Sequence, residues 1–249
     1  MSVKAEVTEL RATGTEGAVI SIPQLNVQSI GVVVMGVTPL LCDALTDKVK
    51  RDLQAQSEGS ARAPGKQRSK KKDWTNCVYR LPNGDGYGFP IEGFSSGIIR
   101  GAKQVRDQTM KDIPGAFTIR PYANDFGSTL VRIWGDGPEC FETFPRDDKG
   151  IPHASYKAIF KKWFAAFQID ITLDLLTPAQ LMDCIKFGGQ QSGIGCMRPD
   201  RKRSYGKYRP CGIADPEFLD LVSNLKIKPE EVLKTISGDR VETGYLEKD

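Results

Sequence analysis

The residues best suited to chemistry in this chain fall in one stretch, Gly188 to Arg209. Its glycines (Gly188, Gly189, Gly193, Gly195 and Gly206) free the backbone for positive φ and for close approach to another molecule. Six of the twelve residues from Arg198 to Arg209 are Arg or Lys, with Tyr205 and Tyr208 between them. Backbone N–H groups and cations meet phosphate, and aromatic rings stack on bases, so the combination suits a nucleic-acid strand. The candidate contacts are Gly193, Gly195, Arg198, Arg201, Lys202, Arg203, Tyr205 and Lys207. The plain alternative is a solvated hairpin with glycine turns.

Two further segments carry related chemistry. Between Ser57 and Lys72 there is almost no large apolar side chain, but there are six cations: Arg62, Lys66, Arg68, Lys70, Lys71 and Lys72. Such a segment cannot bury itself, so residues 54–73 read as a mobile basic insertion. It is either a solubilising linker or a clamp that orders on a strand. The stretch Glu92 to Lys103 reads as a helix capped by Ser95 or Ser96 and bearing Arg100 and Lys103. A phosphate could sit at the N-terminus of such a helix.

Other chemistries find little support. The six cysteines (Cys42, Cys77, Cys140, Cys184, Cys196, Cys211) form no C-x-x-C pair, and His153 is the single histidine. Neither a metal site nor a cofactor is expected, and the thiols read as reduced, mostly buried groups of a cytoplasmic protein. No G-K-[ST] closes the Gly193/Gly195 loop, which excludes a P-loop. No serine or cysteine has a motif partner for nucleophilic catalysis. The acid pairs Asp43/Asp47, Asp136/Glu139 and Asp147/Asp148 could hold Mg²⁺, but each also reads as a surface or capping group. No catalytic residue is assigned, and the chain is expected not to be an enzyme. With 35 Lys and Arg against 31 acids, the partner signal lies in where the cations cluster. Neither a membrane span nor a signal peptide is expected.

The elements that must position these groups follow from periodicity. Met1 to Val27 reads as an extended arm or edge strand. Ser29 to Gly36 is a continuous apolar, β-branched run and predicts a central strand. Thr38 and Pro39 predict a helix reaching Leu53. Cys77–Leu81 and Tyr87–Ile91, around Pro82-Asn83-Gly84-Asp85-Gly86, predict a hairpin. Phe117–Arg120 and Leu130–Trp134 read as strands, 135–151 as loop, and Ala158 to Thr172 as one long strand. Pro178 opens a helix with Leu181, Cys184, Ile185 and Phe187 on one face, followed by a strand from Tyr205 to Ile213. Asp215-Pro216 and Pro229 open two short helices before a frayed tail, Gly238 to Asp249. The order predicts an α+β fold, ferredoxin-like or RNA-recognition-motif-like. It would have an antiparallel sheet with helices on one face, a basic loop insertion and a small C-terminal helical appendage. Residues 1–213 would form the binding domain and 214–249 the appendage and tail.

Two separated segments resemble a family. Phe89-Pro90-Ile91-Glu92-Gly93-Phe94-Ser95-Ser96-Gly97-Ile98-Ile99-Arg100 is similar to a motif of the RAMP (repeat-associated mysterious protein) superfamily. There an apolar-Pro pair, Gly, Ser-Ser and Lys-Gly precede an Arg on a helix; here Ser96, not lysine, precedes Gly97. Gly193-Ile194-Gly195 through Arg203 and Gly206 resembles that family's C-terminal glycine-rich loop, and the basic insertion lies where such proteins carry a thumb-like insertion. The resemblance is to the backbone subunit of CRISPR effector complexes or a phage-encoded relative, and it covers roughly residues 29–213. It implies an antiviral ribonucleoprotein subunit that polymerises along a guide RNA and holds its backbone without reading sequence. The implied partners are single-stranded guide RNA, a complementary target strand, copies of the chain itself and other effector subunits. Some members cleave bound RNA with one loop aspartate, which nothing here singles out. Two other readings stay open: a phage-type single-stranded DNA-binding or annealing protein, and a structural protein that polymerises without nucleic acid.

Overall fold

A computed structural model describes residues 25–44, 54–55, 57–58, 74–84, 86–106, 108–125, 129–146 and 150–237. The expectations for the N-terminal arm before Leu25, for Arg62 to Lys72 and for the tail from Gly238 lie outside these residues.

Among the described residues the architecture is α+β, built on a seven-stranded sheet ordered β10-β1-β9-β6-β4-β3, with β5 also paired to β9. These strands are β1 (Val27–Gly36), β3 (Tyr79–Arg80), β4 (Tyr87–Pro90), β5 (Phe117–Ile119), β6 (Leu130–Gly135), β9 (Trp163–Thr172) and β10 (Tyr208–Cys211). Every pairing in the sheet is antiparallel. A second, three-stranded sheet joins β2 (Leu40–Cys42), β8 (Ser155–Phe160) and β7 (Glu139–Thr143). The helices are α1 (Ile91–Gly101), α2 (Pro178–Gln191), α3 (Pro216–Asn224) and α4 (Pro229–Ser237). None in the described residues is long and apolar enough to cross a membrane.

β1 lies inside the sheet, between β9 and β10, as its apolar run predicts. The run is continuous because both faces of the sheet are covered. Val32 and Val34 join one core with Phe94 and Ile98 of α1 and Leu181, Cys184 and Ile185 of α2. Val33 and Met35 join another with Trp134, Phe164 and Phe218, Leu221, Val222 and Val232 from α3 and α4. α1 and α2 thus cover one face, and the two C-terminal helices, expected as an appendage, pack on the other. Each of those four helical side chains, once buried, contributes about 1.5–3 kcal/mol.

Three segments differ from the sequence reading. Leu40–Cys42 is a strand paired to β8, where a helix was expected to begin. All three side chains are buried, and Thr38 serves other partners: its Oγ1 accepts the Lys207 N–H and its carbonyl accepts Trp163 Nε1–H. Strand β7 occupies part of the expected 135–151 loop. The expected single strand from Ala158 is two strands, broken at Lys161–Lys162, where Asp136 Oδ1 and Oδ2 accept the two backbone N–H groups at 3.2 and 3.3 Å. The hairpin is present, and so is the Pro178 helix, held by a capping box in which Thr177 and Gln180 bond reciprocally. Cys42 and Cys184 are buried, Cys77, Cys196 and Cys211 are half-buried, and Cys140 is exposed.

α1 and α2 meet backbone to backbone. A Cβ on Gly101 would lie 2.0 Å from the Cys184 carbonyl oxygen, and one on Gly188 would lie 2.2 Å from that of Gly97. Such contacts cannot be relieved by turning a side chain. Gly101→Ala and Gly188→Ala should each destabilise by about 1–3 kcal/mol or more, despite the roughly 1 kcal/mol that alanine gains in a helix. Gly212→Ala, in open space, should shift stability by less than about 0.5 kcal/mol. Urea denaturation of the three variants checks this; equal midpoints would remove the contact from the account.

Candidate nucleic-acid interface

The glycine-rich loop begins where α2 ends. Gly188 and Gly189 are inside the helix, so they serve packing rather than loop freedom. Gly193, Gly195 and Gly206 do adopt positive φ, at 60°, 91° and 68°. Their amides turn mostly inward. Gly193 N–H donates to Gly188 O and Ile194 N–H to Gly206 O; Cys196 N–H donates to Leu41 O and Gly206 N–H to Pro39 O, all at 2.8–3.0 Å. The loop is thus stitched onto the turn after β1, and these amides are spent within the fold rather than offered to a phosphate.

The two segments singled out in the sequence form walls of one cleft of about 400 Å³. Phe89, Pro90, Glu92, Gly93 and Ser96 come from β4 and α1, and Gly193 to Cys196, Arg198 and Arg201 from the loop. Leu41, Asp43 and Tyr79 complete the lining. α1 starts at Ile91 with Pro90 as its cap residue and no side-chain cap, so neither Ser95 nor Ser96 caps it. Ser96 lines the cleft about one and a half turns into the helix. The positive end of α1 carries Glu92, and the Ile91 N–H donates to Thr129 O at 2.8 Å. Glu92 already supplies the negative charge that this end favours, and it would oppose an added phosphate.

The cations divide into two sets. Arg100 and Arg198 both face Asp200: Arg100 is ion-paired with it, and Arg198 lies at 3.4 Å while also donating to Gly195 O at 3.1 Å. The Arg100 hydrogen bond, with the charges of both arginines, holds the Asp200 carboxyl below its ordinary range. Arg209 is bound to Asp215 and Glu217, each at 2.7 Å, and both carboxylates raise its already high pKa. By contrast Arg201, Lys202 and Arg203 are exposed, as is Lys103 beyond the end of α1. A one-turn 3₁₀ helix, Pro199–Arg201, and the left-handed Lys202 (φ 57°) direct the chain here. Lys207 is half-buried. Tyr205 packs edge-on against Phe141 at 5.6 Å, and Tyr208 is fully buried between Phe94 and Trp163. Tyr208 is therefore a core residue rather than a stacking platform.

Asp43, Glu92, Tyr79 and Cys196 were not singled out as contacts in the sequence, although Glu92 lies within the first motif. Asp43 is ion-paired with Lys157, and Cys196 is half-buried beside it, its thiol pushed up mainly by burial. The other acids weighed for Mg²⁺ have structural partners too: Asp136 the amides at 161 and 162, Glu139 the Lys161 ammonium at 2.7 Å. Asp47, Asp147 and Asp148 lie outside the described residues.

No protein-family profile matches the chain, and no curated protein does. Among solved structures it is similar to a chain in the cryo-EM structure of the Type III-B Cmr-beta bound to cognate target RNA. That similarity has 11% identity and a TM-score of 0.43, over 75% of this chain and 59% of that one. Cmr6 from Pyrococcus furiosus is similar at 11% identity and a TM-score of 0.32, over 76% of this chain and 100% of that one. The match spans less than two thirds of the first neighbour's length.

Asp200 is the counter-ion shared by Arg100 and Arg198, and its lowered pKa has a consequence for stability. A carboxyl depressed in the folded state contributes fully above its unfolded value of about 3.9 and loses that contribution as pH falls through the folded value. The thermal midpoint of the parent should therefore fall more steeply below about pH 4 than that of Asp200→Asn, and the two should converge in acid. Parallel acid profiles would show that the ion pairs contribute nothing.

Proposed function

We propose that this chain binds single-stranded RNA along its backbone, independently of sequence, as a non-enzymatic subunit of a CRISPR-type ribonucleoprotein. The carrying observation is that the two motif segments, far apart in sequence, wall one cleft, with Arg201 in its lining and Lys202 and Arg203 exposed directly after it. Phosphate contact in this reading comes from those side chains and from Lys103, not from the inward-turned amides of the loop. Arg198 and Arg100 shape the loop through Asp200. Binding rather than turnover is favoured because Asp43, Asp136 and Glu139 each serve a structural partner. Side-by-side assembly along a guide, with copies of itself and other effector subunits in the cytoplasm, rests on the motif resemblance.

Replacing Arg201, Lys202 and Arg203 together with alanine should weaken binding equally for unrelated sequences. It should also make the slope of log K against log salt shallower by about 2, at roughly 0.7 per lost single-strand phosphate contact. Fluorescence anisotropy on two unrelated RNA oligonucleotides over a salt series reads both, with circular dichroism as the folding check. An unchanged slope in the folded variant would refute the reading. A matched DNA strand in the same titration separates RNA binding, which uses the 2′-OH, from a single-stranded DNA-binding role.

A further inference from the structure

The cleft holds more than a phosphate backbone can use. Tyr79, Phe89 and Pro90 give it an aromatic and apolar side, with the Tyr79 and Phe89 rings edge to face at 5.6 Å and 72°. Asp43, Glu92 and Ser96 add hydrogen-bond acceptors, and Arg198 and Arg201 add positive charge. Its volume of about 400 Å³ lies at the small end of the roughly 300–1,000 Å³ typical of ligand pockets. That suits one planar group with its attached sugar, not a length of strand.

These features select among occupants. A free anion would gain nothing from the aromatic side and would face the Glu92 carboxylate, Asp43 being neutralised by Lys157. An acidic peptide would meet the same repulsion. A nucleobase turned out of the strand presents a flat apolar ring to Tyr79 and Pro90, an edge to the carboxylates, and its own phosphate to Arg201. Carboxylates accept hydrogen bonds from exocyclic amino groups, as in pairing of Glu or Asp with cytosine N4. Uracil offers one N–H flanked by two carbonyl oxygens, which would face Glu92 unfavourably.

We propose that the cleft between the β4–α1 segment and the glycine-rich loop seats one unstacked nucleobase and prefers an amino-bearing base (cytosine, adenine or guanine) to uracil. This rests on the single-strand reading above and adds a one-base preference to otherwise backbone-led binding. Glu92 is the discriminating residue, because it is exposed in the first turn of α1 and lines the cleft.

The test uses the full chain and four RNA nine-mers: all uridine, and the same strand with one central cytidine, adenosine or guanosine. Anisotropy at fixed salt should show the three substituted strands binding on the order of tenfold tighter than the all-uridine strand. In Glu92→Ala, with its circular dichroism unchanged, the ratio should fall to about one. Equal affinities for all four strands, with binding still salt-dependent, would overturn the base preference and leave the backbone reading standing. A preference that survives in Glu92→Ala would overturn its assignment to this cleft. No binding of any strand would overturn both.

Discussion

The contact between α1 and α2 is the constraint on which the rest depends. Gly97 and Gly101 of one helix meet Gly188 and Cys184 of the other at distances that leave no room for a methyl group. Packing this close brings the end of α2 beside α1 and so brings the loop that follows α2 to the segment that precedes α1. Tyr208 fills the space beneath. Its ring packs on Phe94 and Trp163, and a Cβ on Gly189 would lie 2.3 Å from its carbonyl oxygen. The burial that pushes the Tyr208 hydroxyl far above its ordinary pKa reflects the same tight enclosure. The cleft is thus a by-product of helix packing. Its walls are brought together by Gly97, Gly101 and Gly188, none of which lines it.

The second face of the sheet secures the other half of the arrangement. Phe218, Leu221, Val222 and Val232 cover Val33, Met35, Trp134 and Phe164, with Trp134 stacked on Phe164 at 4.9 Å. Gln168, buried in the middle strand, donates to the Ile236 carbonyl at 3.0 Å, which ties α4 to β9. Arg209 extends the tie from β10 to Asp215 and Glu217 at the start of α3. β1 and β9 are therefore held from both sides. The turn after β1 is a firm floor for the glycine-rich loop stitched onto it.

Much of this was legible in the sequence, for identifiable reasons. β1 was visible because a run of β-branched residues suits a strand covered on both faces. α2 was visible because Pro178 suits a first turn and Leu181, Cys184 and Ile185 recur on one face. The hairpin was visible in its glycine turns. What failed depended on partners remote in sequence. Leu40 and Leu41 read as helical until β8 supplies a strand to pair with. The break between β8 and β9 depends on Asp136, whose carboxylate receives two amides from 25 and 26 residues away. Gly188 and Gly189 looked like loop glycines because nothing local announces that a second helix passes over them.

The same limit explains how the cationic stretch divided. Composition counts Arg198, Arg201, Lys202, Arg203 and Arg209 as equals, yet their roles are set by carboxylates on other elements or a few residues away. Asp200 draws Arg198 and the distant Arg100 into a knot that braces the loop, and Asp215 with Glu217 takes Arg209 out of the surface field. What remains exposed is a short run, Arg201 to Arg203, on a 3₁₀ turn and a left-handed residue, with Lys207 half-buried beyond it. A cation whose partner is a fixed carboxylate has little attraction left for a phosphate, since the new contact must replace one already made. The unpaired positive charge of this stretch is therefore smaller than its sequence suggests and more localised, and Arg201 lines a cleft that carries aromatic and acidic groups as well.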